Sequence, residues 1–154
     1  MEKIGDFTPD VINRLMKQID FFNEFDEKEM QFVLKYMDDF IRYQADEKVL
    51  QEGEHDDAAM YVVLTGRCLV SLGSDNALLG EIQAGDFFGE ISFFDRHMRT
   101  ASITATEVSI LWKISHDLLE EATVELKNKI YKKIIHKLTR TLTDSNQKIS
   151  TPPI

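Results

Sequence analysis

Cysteine is almost missing from this chain. Of 154 residues only Cys68 is one, so no internal disulfide can form, and its setting in an apolar, strand-like run reads as a buried thiol. No apolar run approaches the roughly 20 residues a membrane-spanning helix needs, and the N-terminal MEKIGDF lacks a signal-peptide pattern. The expectation is a cytoplasmic protein that does not enter a membrane. Positive charge is also short: 18 Lys and Arg face 27 Asp and Glu, a net charge of −9. Duplex binding leans on cations that neutralise phosphates, so nucleic acid is not an expected partner. Only residues 116–149 lean the other way, with seven Lys/Arg against five Asp/Glu, and that basic face reads as solvated. His55, His97, His116 and His136 are scattered and form no His-x-His pair, so no metal site is expected. No nucleophile stands with a base, and the chain is not read as an enzyme.

What is present suits one folded domain. Hydrophobic residues make up 43% and charged residues 29%, a balance able to fill a core at this length. The chain opens with helices over 1–39. Thr8-Pro9-Asp10 is a cap with proline at the first helical position, followed by Val11, Ile12, Leu15, Met16 and Ile19 at helical spacing. Asp26 and Glu29 read as an N-cap and its capping-box partner before Met30, Val33, Leu34 and Met37. Between them Phe21, Phe22 and Phe25 form a packing cluster.

From 40 to 114 the pattern changes to short strands: 40–43, 48–50, 60–64, 67–72, 78–82, 101–106 and 108–114. Thr65-Gly66 reads as a tight hairpin between two of them. Many short strands with regular turn signals indicate a sheet closed on itself. Residues 115–149 are helical again: Ser115 and Thr123 are caps, the second for a helix running towards Gln147. One stripe on it, Leu126, Ile130, Ile134 and Leu138, is expected to pack on the barrel. The other, Tyr131, Ile135, Leu138, Leu142 and Ile149, comes near heptad spacing and reads as a homodimer seam. Residues 150–154 read as an extended tail.

The chemistry gathers in residues 85–102, GDFFGEISFFDRHMRTAS. Gly85-Asp86 is a turn signal and Phe87-Phe88 a brief strand. Gly89 lets the backbone approach a ligand or take a positive φ. Residues 91–94 allow a single turn, whose leading N–H groups attract an anion. Arg99 is a fork-shaped donor for two phosphate oxygens, while Glu90 would repel phosphate and so suits a hydroxyl. Together they fit a ribose phosphate. The opposite reading, in which Glu90 and Arg99 form a salt bridge that merely fixes a loop, carries less weight, because an Arg among Phe88, Phe93 and Phe94 needs a counter-charge and a ligand phosphate would supply it.

FGEISFFDRHMRTAS resembles the phosphate-binding cassette of cyclic nucleotide-binding domains, as in the catabolite activator proteins and protein kinase A regulatory subunits. Phe88, Gly89, Glu90, Arg99 and Ala101 match, and Thr100 fills a small-residue slot; Met98 stands where the family usually has proline, and Ser92 where it has alanine. The resemblance spans about residues 20–142. It implies an α+β, mainly β fold: a jelly-roll β-barrel of about eight short strands with N-terminal helices and a long C-terminal helix. It implies that Arg99 pairs with the cyclic phosphate, and that Glu90 accepts the ribose 2′-hydroxyl. Phe88, Gly89, Ile91, Ser92, Thr100 and Ala101 would surround phosphate and sugar. Leu79 and Ile82 would wall the base, and Thr141 on the long helix would reach an adenine amino group. The expected ligand is cAMP, with cGMP the alternative. Only about a dozen residues follow Leu142, so the expectation is a stand-alone sensor without DNA-binding or catalytic output, acting through an unidentified downstream protein or its own homodimer. A same-fold assembly module without nucleotide binding is the other reading.

Overall fold

The computed structural model describes residues 1–3 and 7–150, with side chains as far as Ser145. Residues 151–154, most of the expected tail, and the side chain of Ile149 in the expected seam lie outside the described residues. Two compact units divide after Glu121.

In the first unit α1 (Pro9–Lys17) starts where Thr8 accepts the Val11 N–H through its side chain, with proline at the first turn. Helix α2 (Glu27–Leu34) opens on a full capping box: the Glu29 N–H donates to Asp26 at 2.8 Å and the Asp26 N–H to Glu29 at 2.8 Å. Both helices stop earlier than their apolar spacing suggests, because Ile19 and Met37 fall outside them, next to or within short 3-10 turns at Asp20–Phe22 and Met37–Asp39.

The strands are β1 (Glu2–Lys3), β2 (Phe40–Tyr43), β3 (Lys48–Leu50), β4 (Met60–Thr65), β5 (Arg67–Leu72), β6 (Ala77–Gln83), β7 (Phe87–Phe88), β8 (Ser102–Ala105) and β9 (Ser109–Ile114). They form two antiparallel sheets, β1-β2-β9-β4-β7 and β3-β8-β5-β6. This is the expected jelly roll, with the two-residue β1 added; a pair so short carries no period to read. One expectation fails. Thr65-Gly66 is not a hairpin, because β4 pairs with β7 and β9 while β5 pairs with β6 and β8. The chain instead changes sheets at a corner. Gly66 has φ +97°, and a Cβ there would lie 2.1 Å from Ser109 Oγ, so only glycine lets the two segments cross this closely. The hairpin is β5–β6, closed by the Asn76 N–H to the Gly73 carbonyl at 3.1 Å.

Strand β4 shows how the layers are divided. Tyr61 and Val63 turn into the barrel with Tyr43, Cys68, Ile82, Phe88, Ile103 and Leu111. Burial pushes the Cys68 thiol up to about 11, so it is an inert thiol in the folded chain. On the opposite face of the sheet Trp112, fully buried, stacks on Phe40 at 6.3 Å and meets Phe21 and Phe22 at 6.1 and 5.3 Å. The phenylalanine cluster therefore packs the 3-10 turn onto the sheet. Helix α3 (Glu90–Asp95) follows β7, and α4 (His116–Glu121), capped by the Ser115 side chain at 3.0 Å, ends the unit.

The second unit holds α5 (Val124–Ser150), whose Leu126 N–H donates to the Thr123 hydroxyl at 3.2 Å. Leu126, Ile130 and Ile134 are buried, whereas Ile135 and Leu142 are 62% and 64% exposed. The two stripes are thus physically distinct. Among the described residues no helix is long and apolar enough to cross a membrane.

Candidate functional site

Gly89 sets up the site. It turns the chain from β7 into α3 with φ +87°, and a Cβ there would lie 3.0 Å from both the Ala59 carbonyl oxygen and Arg99 Nη1. A side chain would be strained twice, by conformation and by contact. Helix α3 is six residues, longer than the single turn its apolar stretch suggested, and its first internal bond runs from the Phe93 N–H to the Gly89 carbonyl at 3.1 Å. The N–H groups ahead of Phe93 precede the bonds of the helix. Arg96 closes it in a left-handed conformation at φ 54°. Phe88 stacks on Tyr61 at 5.4 Å and 15°, and Ser92 donates to the Met98 carbonyl at 3.5 Å. Glu90 and Ser92 are buried, while Ile91 is exposed.

Arg99 lies between α3 and β8 and is 2% exposed. Its Nε donates to both carboxylate oxygens of Asp56, at 3.0 and 2.8 Å. One terminal nitrogen donates to the Ala59 carbonyl at 2.8 Å and the other to the Gly89 carbonyl at 3.5 Å. Three of the five guanidinium N–H groups are used in these bonds, which leaves one on each terminal nitrogen. Asp56 thus holds one edge of the fork and the far end carries the remaining donors. A buried arginine needs such a counter-charge, and the protein itself provides it. Sequence reasoning weighed a ligand phosphate and Glu90 as that counter-charge and passed over Asp56. The signal available was the acid pair Asp56-Asp57 placed just before an apolar strand.

The loop between β3 and β4 is strapped to the arginine by its backbone. The Gly53 N–H donates to the Arg99 carbonyl at 2.8 Å, the Arg99 N–H to the Glu54 carbonyl at 2.9 Å, and the Glu52 N–H to Ser102 Oγ at 3.0 Å. Asp56 also caps the Ala58 N–H at 2.8 Å, bending the loop through a left-handed alanine at φ 56°. Asp57 pairs with Lys113 on β9. Burial alone would raise the Asp57 carboxyl, but the bond and charge of Lys113, the Ala59 N–H and the charge of Arg99 outweigh it and hold it below its ordinary value.

The remaining expected residues divide. Thr100 and Ala101 adjoin Arg99 in the chain, Thr100 exposed and Ala101 partly buried. Ile82 is in the barrel interior, whereas Leu79 on β6 is 60% exposed. Thr141 is on α5 in the second unit, exposed, its hydroxyl donating to the Lys137 carbonyl at 3.0 Å. The first unit therefore brings together Phe88, Gly89, Glu90, Ser92 and Arg99, and adds Asp56.

Comparison with known proteins agrees with this arrangement. Residues 40–124, more than half of the chain, match the profile of the cyclic nucleotide-binding domain family. The cGMP-dependent protein kinase egl-4 of Caenorhabditis elegans is 32% identical over 100 residues, covering 65% of this chain but 12% of the kinase. The chain spans only a small part of the curated relatives it matches. Among solved structures, PKAR CBD2 with Sp-2Cl-cAMPS bound superposes with a TM-score of 0.66 at 18% identity, covering 92% of this chain and 90% of the other. The catabolite activator protein of Thermus thermophilus gives 0.68 at 22%, covering 85% and 62%. By its fold, its cassette and this match, the chain belongs to the cyclic nucleotide-binding domain family.

Proposed function

We propose that this chain binds a cyclic nucleotide, cAMP by preference, and works as a sensor with no catalytic step of its own. The observation that carries the reading is Arg99: buried, anchored on one edge by Asp56, with a donor remaining on each terminal nitrogen. An arginine so held is pre-oriented for a bidentate grip on two phosphate oxygens, and the ordering cost is already met. Glu90, on the first turn of α3, accepts the ribose 2′-hydroxyl in this reading. Phe88, Gly89, Ile91, Ser92, Thr100 and Ala101 surround the sugar and phosphate in this reading, and Leu79 and Ile82 the base. Because Arg99 is 2% exposed, a phosphate reaches it only when α3 or the loop before β4 moves. Binding and movement are then one event, which a sensor requires. Occupancy is passed to a downstream protein or to a second copy through α5.

A cGMP-selective sensor is the second reading, favoured by the match to a cGMP-dependent protein kinase. The test is calorimetric titration of nucleotide-stripped protein with cAMP and cGMP separately, with thermal stability followed in parallel. Saturable binding of cAMP near one per chain is expected, and tighter cGMP binding would reverse the preference. In Arg99→Ala the affinity should fall by about 2–5 kcal/mol, the cost of removing one partner of a desolvated charged pair. Binding of neither nucleotide overturns the sensor reading in favour of an assembly module.

A further inference from the structure

Helices α3 and α4 meet through two flat rings. Phe93 and His116 lie parallel, with centroids 4.2 Å apart and 7° between their planes. Phe93 is buried in the helix that carries Glu90 and Ser92, while His116 is the first residue of α4. The other three histidines, His55, His97 and His136, are exposed. His116 differs in a second way: its Nε2 is buried and has no hydrogen-bond partner. Charged groups bear on it from both helices and from the loop before β4. Arg96 at the end of α3 opposes a positive imidazole, whereas Asp117 and Glu120 on α4 and Asp57 in the loop before β4 favour one. Asp57 is itself paired with Lys113, which blunts its pull.

We propose that the Phe93–His116 stack is a proton-sensitive joint between the cassette helix and α4, closed while the imidazole is neutral and loosened when it becomes an imidazolium. A proton on Nε2 creates a charged donor at a buried place that offers no acceptor, so the cation regains its hydration only by leaving the stack. The attraction of a cation for the Phe93 face opposes this, as do the three carboxylates. Burial and Arg96 outweigh them, and they hold the imidazole below its ordinary value of 6.5. With a depressed folded value the sign is fixed: the stack is fully favoured above the ordinary histidine range and weakens as pH falls through the depressed value. Its consequence for ligand rests on the reading above. A loosened stack frees the helix bearing Glu90, so nucleotide affinity falls on acidification.

The joint is tested without any ligand. Ring resonances of the full chain are followed by NMR between about pH 5 and 8, the range in which histidines titrate. His116 should titrate below the ordinary histidine value of 6.5, and the Phe93 ring shifts should move with the same midpoint. Arg96→Gln should move that midpoint upward, and His116→Phe, which keeps a flat ring, should leave Phe93 insensitive to pH. A His116 that titrates at or above the ordinary histidine value, or Phe93 shifts that stay flat through its titration, would overturn the joint. Titration of parent and Arg96→Gln decides the matter even if His116→Phe does not fold. Affinity for cAMP, measured across the same range, should fall several-fold in the parent and hold level in His116→Phe. Absence of cAMP binding at every pH, with Phe93 and His116 still titrating together, would sink the ligand reading and sustain the joint.

Discussion

At the scale of single residues, the site depends on how one buried cation is shared. Asp56 neutralises Arg99 from the Nε edge while the Ala59 and Gly89 carbonyls take bonds at the far end. Asp56→Ala should cost about 2 kcal/mol of stability, the worth of hydrogen bonds to a charged group, because it leaves the guanidinium without its carboxylate. Asp56 also holds Arg99 ready for the phosphate, so a fixed excess of cAMP should stabilise Asp56→Ala less than it stabilises the parent. Chemical denaturation with and without cAMP measures both, and equal stabilisation would mean that Asp56 does not prepare Arg99 for the ligand. Glu90, Gly89 and Arg99 were legible in the sequence because their spacing is local. Asp56 was not. It lies 43 positions from Arg99, and the pairing of β3 with β8 and the bonds joining residues 52–54 to 99–102 bring it there.

Elements were legible where periodicity and caps are strong. The Thr8, Asp26, Ser115 and Thr123 caps stand where side-chain chemistry placed them. Strands β2, β3, β5 and β7 fall on their expected residues, and β4, β6, β8 and β9 do so to within one at either end. The pairing of strands was less legible. Apolar runs on either side of a glycine describe a hairpin and a corner equally well, and only the crossing of Gly66 by Ser109 decides for the corner. The loop between β3 and β4 gives a prediction at this scale. Asp57 ties it to Lys113 on β9, and its folded carboxyl lies below the unfolded value. The stability this contributes is present above the ordinary carboxylate range and is lost as pH falls through the depressed value. Acid that protonates Asp57 should therefore loosen this loop. The hydrogen-exchange protection of residues 52–59, referred to the intrinsic rate at each pH, should fall on acidification in the parent, and Asp57→Asn should be poorly protected already at neutral pH. A parent loop that keeps its protection until the whole chain unfolds would show that the pair does not hold it.

For the whole molecule, the division after Glu121 separates the unit that holds the barrel from a helix with two unlike stripes. Ile135 and Leu142 are exposed at 62% and 64%, and their spacing suits a seam with a second copy. Ile135→Glu combined with Leu142→Glu should convert a dimer to a monomer in sedimentation while leaving the melting temperature of the barrel unchanged. A parent that is already monomeric at the same concentration would remove α5 as the seam.

Trp112 is the sole tryptophan of the chain, and it is fully buried between Phe40, Phe21 and Phe22. The protein therefore has one indole emitter, held in a dry aromatic setting on the side of the sheet opposite the barrel interior. Its fluorescence is a built-in optical gauge of the helical layer rather than of the ligand pocket. Any change in its colour or intensity on adding nucleotide is a signal that has crossed the sheet.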